Sequence, residues 1–458
     1  MLTINDMDAD QLKAADVLFE QDYTLLVSAM GGGKTIVALT AIEELIAYTA
    51  GFKCLVVAPL KVCDAVWASE YLNWEHTHAM RIGIATEADR NSVFKDVDRY
   101  DVIVTNFESL SWMKEMGLFK HFNGLLIDES TKMKSHGTWF KSIRREIKNF
   151  DWRCCMTGTP VSENWQQLFY QMFIVDGGET FGRNHQLFIQ KWFYALDFKG
   201  YRWEPHDHSP RVLMQMINPF THVMPDYRDS LPPLYIKHHP APLPLGAMRA
   251  YKDMANLMRV KDLAGEEVTA DTAAIKSMKL RQIANGFLYP NDKRKPPIWV
   301  HDAKTEILEN LVEKLGKQGV GNILIVYEFV EELRRLRDAF PKIVSISDRP
   351  IEEIQESWNA GRIPLMCLQV GSGSHGLNLQ GGGHTLIMLA PCWSRDKYDQ
   401  VRARIWRRGQ RHAVTAHIIE ALNTIDDQVI IPRLAGKGEI MPLFIQHLAE
   451  LSKSKAPD

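Results

Sequence analysis

No stretch of this sequence approaches the roughly 18 consecutive apolar residues that a membrane-spanning helix needs. The first residues, MLTINDMDADQ, are acidic where a secretory leader is basic and then apolar. Both absences point to an intracellular protein. Cysteine is scarce: the six present (Cys54, Cys63, Cys154, Cys155, Cys367 and Cys392) form no C-x-x-C pair and lie mostly in apolar, strand-like runs. Free buried thiols are therefore expected in place of disulfides or a zinc site. Excess charge is lacking too, with 54 basic against 56 acidic residues and a formal net charge of −2. That excludes a basic coat over the whole surface, though not a local positive channel. Short internal repeats are absent, and nothing beyond the final SKSKAPD is of low complexity.

What is present is enough apolar residue to fill a large interior: 45% hydrophobic and 24% charged over 458 residues, which suits two or more globular units. Short apolar runs (YTLLVS, KCLVVA, RIGIA, DVIVT, GLLID and WRCCM) alternate with helix-length spacers through the first 160 residues. The alternation returns between about 320 and 420 as NILIVY, KIVSIS, PLMCLQV, TLIMLA and VTAHII. It predicts two α/β lobes, each a parallel sheet covered by helices. Residues 1–225 form the expected first lobe, with a helical insertion at about 165–222. Residues 226–458 form the second, with another at about 245–300. The proline-rich MPDYRDSLPPLYIKHHPAPLPLG is the expected linker region. His206-Asp207-His208 lacks further ligands at metal spacing and reads as a polar loop.

Within TLLVSAMGGGKTIVALTAIEEL a strand, a glycine-rich turn and a helix follow one another, the context that gives a phosphate loop its meaning. Met30, Gly31, Gly32 and Gly33 would let backbone N–H groups face a polyphosphate, with the dipole of the following helix aimed at the same anion. Lys34 would reach the β- and γ-phosphates of ATP, and Thr35 would ligate Mg²⁺. Ser28 stands where the general pattern has its first glycine. Further on, GLLIDEST delivers Asp128 and Glu129 to the end of another strand. Asp128 would hold the Mg²⁺, and Glu129 would orient or deprotonate the attacking water.

The segment DQVRARIWRRGQRH packs five arginines into ten positions. Read as a helix over 399–411, it places Gln400, Arg404, Arg407 and Arg411 within about 60° of each other, with Gly409 closing the helix. Such a cationic face calls for an anion. In a two-lobed protein with a phosphate loop, the terminal phosphate across the cleft is the obvious one, where an arginine accelerates transfer by roughly 10³ to 10⁵.

The form Q-x-x-x-R-x-x-R-x-G-Q over 400–410 resembles the last motif of superfamily-two helicases, in the version of the Swi/Snf-like double-stranded DNA translocases of minimal bacterial or phage type. DADQ with Gln11, VVAPLKVCDAVWASE, VTNFESL, MTGTPVSENWQQL, LRQIANGFLY, HGLNL, PCWSRDKYDQ and NTIDDQVI fall in the family's order along nearly the whole chain. The resemblance implies two RecA-like lobes with a nucleotide cleft between them. It implies adenine reading by Gln11, coupling through Thr157, Gly158, Thr159 and Gln400, and Gly376 and Asn378 near both nucleotide and DNA. Arg404 and Arg407 become the transition-state arginines, and contacts to DNA phosphates are expected near Lys61, Thr105, Phe107 and Val370, without sequence information.

Three departures stand out. DEST replaces the family's acidic-Ala-His, leaving Thr131 where the coupling histidine stands; VYEF at 326–329 lacks a polar pair; and Ser374 replaces a common glycine. Packing rather than base stacking is expected of Trp67, Trp393 and Trp406. The expected activity is ATP-driven movement on double-stranded or branched DNA, in the cytoplasm of a bacterium or phage-infected host. A strand-separating DNA or RNA helicase and a non-hydrolysing DNA clamp or recruitment protein are the alternatives.

Overall fold

The computed structural model describes residues 1–87, 89–133, 137–161, 164–197, 203–261, 267–370 and 377–436. Two compact units divide the chain, the first ending at Tyr227 and the second opening at Arg228.

The first unit is built on a parallel seven-stranded sheet of order β3-β4-β2-β5-β6-β1-β9. Its strands are β1 (Tyr23–Val27), β2 (Cys54–Ala58), β3 (Ile82–Ala85), β4 (Val102–Asn106), β5 (Gly124–Asp128), β6 (Trp152–Thr157) and β9 (Thr221–Val223). Alternate side chains of a strand point to opposite faces, and both faces are buried. Leu25, Val27, Leu55, Val57, Leu125 and Ile127 join one core; Leu26, Val56, Leu126 and Cys154 join the other. Continuous apolar runs are what a sheet covered on both sides requires. Helices α1 (Ala9–Glu20) and α2 (Lys34–Tyr48) cover the second face, and α3 (Gln167–Asp176) packs into the first.

The second unit carries a parallel six-stranded sheet of order β10-β19-β18-β15-β17-β16. These strands are β10 (Leu234–Ala241), β15 (Ile323–Tyr327), β16 (Val344–Ser345), β17 (Leu365–Gln369), β18 (Thr385–Met388) and β19 (Val414–Ala421). Every strand expected from the apolar runs is present, and the architecture is the expected pair of parallel sheets with helices.

Two expectations need correction. The proline-rich stretch is not all linker: its Leu234–Ala241 segment pairs along its full length with β19. Pro240 is tolerated because β10 lies at the sheet edge, where a missing N–H costs no ladder bond on the open side. The insertions are not purely helical either. The first contains the hairpin β7 (Phe193–Ala195) with β8 (Trp203–Pro205), and the second contains β11 (Arg259–Lys261) with β12 (Glu267–Thr269) and β13 (Phe287–Leu288) with β14 (Ile298–Trp299). Each strand is only two or three residues long, too short for an alternating pattern to register. All six cysteines are buried and free. Among the described residues no helix is long and apolar enough to cross a membrane.

Candidate active site

Open parallel sheets bind ligands beyond the carboxyl ends of their strands, and there the first unit gathers its polar residues. Between β1 and α2 the loop turns through Gly31 and Gly33 at φ of +80° and +84°, a region that side-chain-bearing residues rarely adopt. Gly32 has no room for a side chain, since a Cβ would lie 2.3 Å from Ser28 Oγ. Ser28 thus fills the space beside the loop. Lys34 Nζ donates to the Ser28 carbonyl at 3.2 Å, and Thr35 lies half-buried in the first turn of α2.

Gln11 belongs to this loop as well. Its Oε1 accepts from Asp8 N–H at 3.0 Å in a capping box that starts α1. Its Nε2 donates to the Gly32 carbonyl at 3.3 Å, so both ends of its amide hold protein groups. Tyr227, absent from the expected set, donates its hydroxyl to the Met30 carbonyl at 2.6 Å.

The acid pair stands at the end of β5. Asp128 is 5% exposed and receives two hydrogen bonds, from Trp67 Nε1 at 3.1 Å and from Glu129 N–H at 3.0 Å. Burial, then the neighbouring Glu129 charge, push its carboxyl up to about 6, while Lys34 and the Trp67 bond pull the other way. Glu129 follows in the left-handed region at φ 55° and ψ 52°, a strained backbone that persists only when its surroundings fix it. They do: Ser130 Oγ donates to Gln171 Oε1 at 2.9 Å, and Gln171 Nε2 donates to the Pro160 carbonyl at 2.8 Å.

Within DEST it is thus Ser130, next to Thr131, that is tied to the helix following β6. Gln171 gave a weak sign of itself as the single polar residue in LFYQMFIV. Trp67 does pack, as expected, but its indole N–H also orients an acid, which no spacing rule discloses.

Thr157, the last residue of β6, and Gly158 and Thr159 after it lie directly beside the phosphate loop. Ser28 N–H donates to the Thr157 carbonyl at 3.1 Å, Thr159 N–H to Thr157 Oγ1 at 3.1 Å, and a Cβ on Gly158 would touch Met30 Cγ at 3.4 Å.

The expected DNA-contacting residues fare unevenly. Lys61 is exposed. Thr105 is fully buried and its hydroxyl donates to the Ala85 carbonyl at 2.7 Å. Phe107 is buried with its ring 5.1 Å from that of Trp139, and Val370 is buried with its N–H on the Tyr327 carbonyl. The side chains of Thr105, Phe107 and Val370 are therefore core, and of the four only Lys61 presents its side chain at the surface.

In the second unit the arginine segment is not one helix over 399–411. Helix α4 spans Arg395–Arg402 and includes half-buried Gln400. Beyond it the chain tightens, with Arg404 N–H on the Val401 carbonyl and Ile405 N–H on that of Arg402. The Ile405 carbonyl, which a continuing helix would offer to Gly409, is instead taken by Gln410 Nε2 at 2.9 Å. Gly409 at φ +86° closes this turn, not the helix.

Arg404 and Arg407 nevertheless converge. Both donate to the Leu377 carbonyl, at 3.3 and 3.4 Å, and Arg407 also to Asn378 Oδ1. Asn378 N–H is held by Gln355 at 2.8 Å. Arg404, Arg407 and Asn378 thus form one array, while Arg411 lies exposed outside it. Gly376 lies outside the described residues.

Comparison with known proteins accords with these features. The model of the SNF2-related domain matches residues 11–287. Protein p41 of Acyrthosiphon pisum secondary endosymbiont phage 1 is 30% identical over 452 residues, covering 92% of this chain and 93% of its own. The human SWI/SNF-related matrix-associated actin-dependent regulator of chromatin subfamily A member 1 is 24% identical across 89% of this chain, which spans only 40% of that protein. Among solved structures, the Sulfolobus solfataricus SWI2/SNF2 ATPase core in complex with dsDNA aligns over 96% of this chain and 95% of its own, at 20% identity and a TM-score of 0.44. With the family model spanning more than half its length, the chain belongs to the SNF2-related family, and so to the nucleic-acid-dependent ATPases of helicase superfamily two.

Proposed function

We propose that this protein is an ATP-driven motor that moves along double-stranded or branched DNA in the cytoplasm of a bacterium or phage-infected host. The observation that carries the reading is the meeting of the glycine loop, Lys34 and the buried Asp128 with Glu129 beyond the carboxyl ends of one parallel sheet, in a chain of this family.

The residues present fit ATP and Mg²⁺. Gly31 and Gly33 occupy the backbone region that opens N–H groups toward an anion, and Asp128 is a buried carboxyl group with little water around it. Lys34 would balance the β- and γ-phosphate charge, and Thr35 and Asp128 would hold Mg²⁺. The ion, when bound, neutralises charge on the phosphate oxygens. Glu129 orients the attacking water and takes its proton. Thr157, bonded to the phosphate loop at Ser28, passes its state onward with Gly158, Thr159 and Gln400. Arg404 and Arg407, steadied with Asn378, supply positive charge to the transferring phosphoryl group.

The test is the ATPase rate of the intact chain with single-stranded, duplex and branched DNA and with RNA. Strong stimulation by duplex DNA, lost in Lys34→Ala and Arg407→Ala, is expected. Equal turnover with and without nucleic acid would reject the motor; binding without turnover would make the protein a clamp. Displacement of an annealed strand, or stimulation by RNA alone, would make it a strand-separating or RNA helicase.

A further inference from the structure

The chain leaves the first unit alongside its own phosphate loop. Strand β9 pairs in parallel with β1, with Val223 opposite Val27, and Met224 N–H continues the ladder to the Val27 carbonyl at 2.9 Å. Tyr227 then turns its ring inward, 8% exposed, and gives its hydroxyl to the Met30 carbonyl at 2.6 Å. Tyr227 is the last residue of this unit before Arg228 opens the next.

The Met30 carbonyl is a consequential atom to hold. It shares a planar, trans peptide with Gly31 N–H, so the two groups point in opposite directions. A donor that fixes the carbonyl on the outer side fixes that N–H toward the interior of the loop, where a polyphosphate would lie. Gly31, at φ +80°, has the freedom to turn this peptide over, so the orientation needs an anchor from outside. Met30 is met from a second side by Gly158, at whose Cβ position its Cγ lies 3.4 Å away. One loop residue therefore lies beside the segment after β6 and is bonded to the connector to the second unit.

We propose that Tyr227 is a positioning residue of the phosphate loop, and that nucleotide occupancy is passed through its bond with Met30 into the connector. The inference rests on the reading that this loop binds ATP, and it adds a route by which the loop informs the rest of the chain without either acidic residue.

Hydrogen exchange on the full chain, with and without Mg·ADP, tests it. Nucleotide is expected to slow exchange in peptides covering 28–35 and also in those covering 224–231. Tyr227→Phe, which keeps the ring and removes only the hydroxyl, should weaken binding of a fluorescent ADP analogue about 3- to 10-fold, the worth of one hydrogen bond. It should keep the slowing at 28–35 when saturated and lose it at 224–231. Protection of the loop alone in the natural protein overturns the proposal and leaves the ATP reading intact. So does a Tyr227→Phe variant with unchanged affinity and unchanged connector protection. No protection at the loop removes the ATP reading and this proposal with it.

Discussion

Ser130 and Gln171 face each other in the interior of the first unit, hydroxyl to side-chain oxygen at 2.9 Å. Ser130 is fully buried and Gln171 is 1% exposed. The bond joins the turn after the two acids to a helix whose glutamine also bonds the Pro160 and Gln167 carbonyls. Replacing Gln171 by leucine would strand a buried hydroxyl and a buried carbonyl at roughly 1–3 kcal/mol each. Denaturant unfolding should show a loss of about 2–4 kcal/mol, and Ser130→Ala a smaller one. A Gln171→Leu protein as stable as the natural chain would mean that this tie holds nothing.

Trp67 steers an acid as well as filling space. Trp67→Phe retains a buried ring but removes the donor to Asp128 Oδ2. Turnover should fall by about tenfold, the equivalent of one hydrogen bond to a charged group, and the Mg²⁺ concentration for half-maximal rate should rise. An unaltered Mg²⁺ titration would show that the indole only packs.

The two ends of the nucleotide site should separate by mutation. Lys34→Ala is expected to abolish both nucleotide binding and hydrolysis. Glu129→Gln should still bind nucleotide while losing about 10² or more in turnover, the usual worth of a general base. Equilibrium binding beside steady-state rates makes the comparison, and full turnover in Glu129→Gln would reassign the base.

Acid should loosen the second unit. His301 donates from Nε2 to the Ile283 carbonyl and accepts at Nδ1 from Ala303 N–H, a pattern that only the neutral ring satisfies. His417 shares a 2.8 Å bond with His239. Burial brings both His301 and His417 down from an ordinary value of 6.5 to about 4. Because the folded values are depressed, their contribution is complete above 6.5 and is lost as pH falls toward 4, on the order of 3 kcal/mol for each histidine. Urea unfolding at pH 7 and pH 5, a window that holds only part of that loss, should differ by about 2 kcal/mol for each histidine, and His301→Asn should flatten the dependence.

The buried pair Lys304 and Asp426, 2.5 Å apart and each 2% exposed, makes a further case. Lys304→Met leaves a lone carboxylate and should cost about 3–5 kcal/mol, whereas adding Asp426→Leu should restore most of it. Thermal unfolding of the single and double variants decides; a double variant as unstable as the single would show that packing, not charge, governs the site.

Period and composition disclosed the strands of both sheets because fully buried parallel strands are continuous apolar runs, such as Cys54–Ala58 and Gly124–Asp128. The phosphate loop was legible because its glycines answer a local backbone demand. β10 was hidden by Pro240 and the prolines that flank it, and by its half-exposed position at an edge. The end of α4 at Arg402 was hidden because the N–H groups of Arg404 and Ile405 turn to carbonyls three residues back and Gln410 then takes the Ile405 carbonyl, bonds that no helical period reveals. Gln171, Trp67 and Tyr227 belong to the site through bonds between residues far apart in sequence, and no local pattern encodes those. The burial of Thr105, Phe107 and Val370 follows from tertiary packing for the same reason.

The pairing of β10 with β19 brings His239 against His417, 178 positions further on. During synthesis the first sheet therefore has all its strands once Val223 has cleared the ribosome, whereas the second cannot close its edge until the chain has reached Ala421. The nascent protein would carry a finished nucleotide fold beside a long segment still waiting for its last strand. Contacts so distant along the chain form slowly, so that interval is when this protein is most exposed to aggregation and most dependent on chaperones.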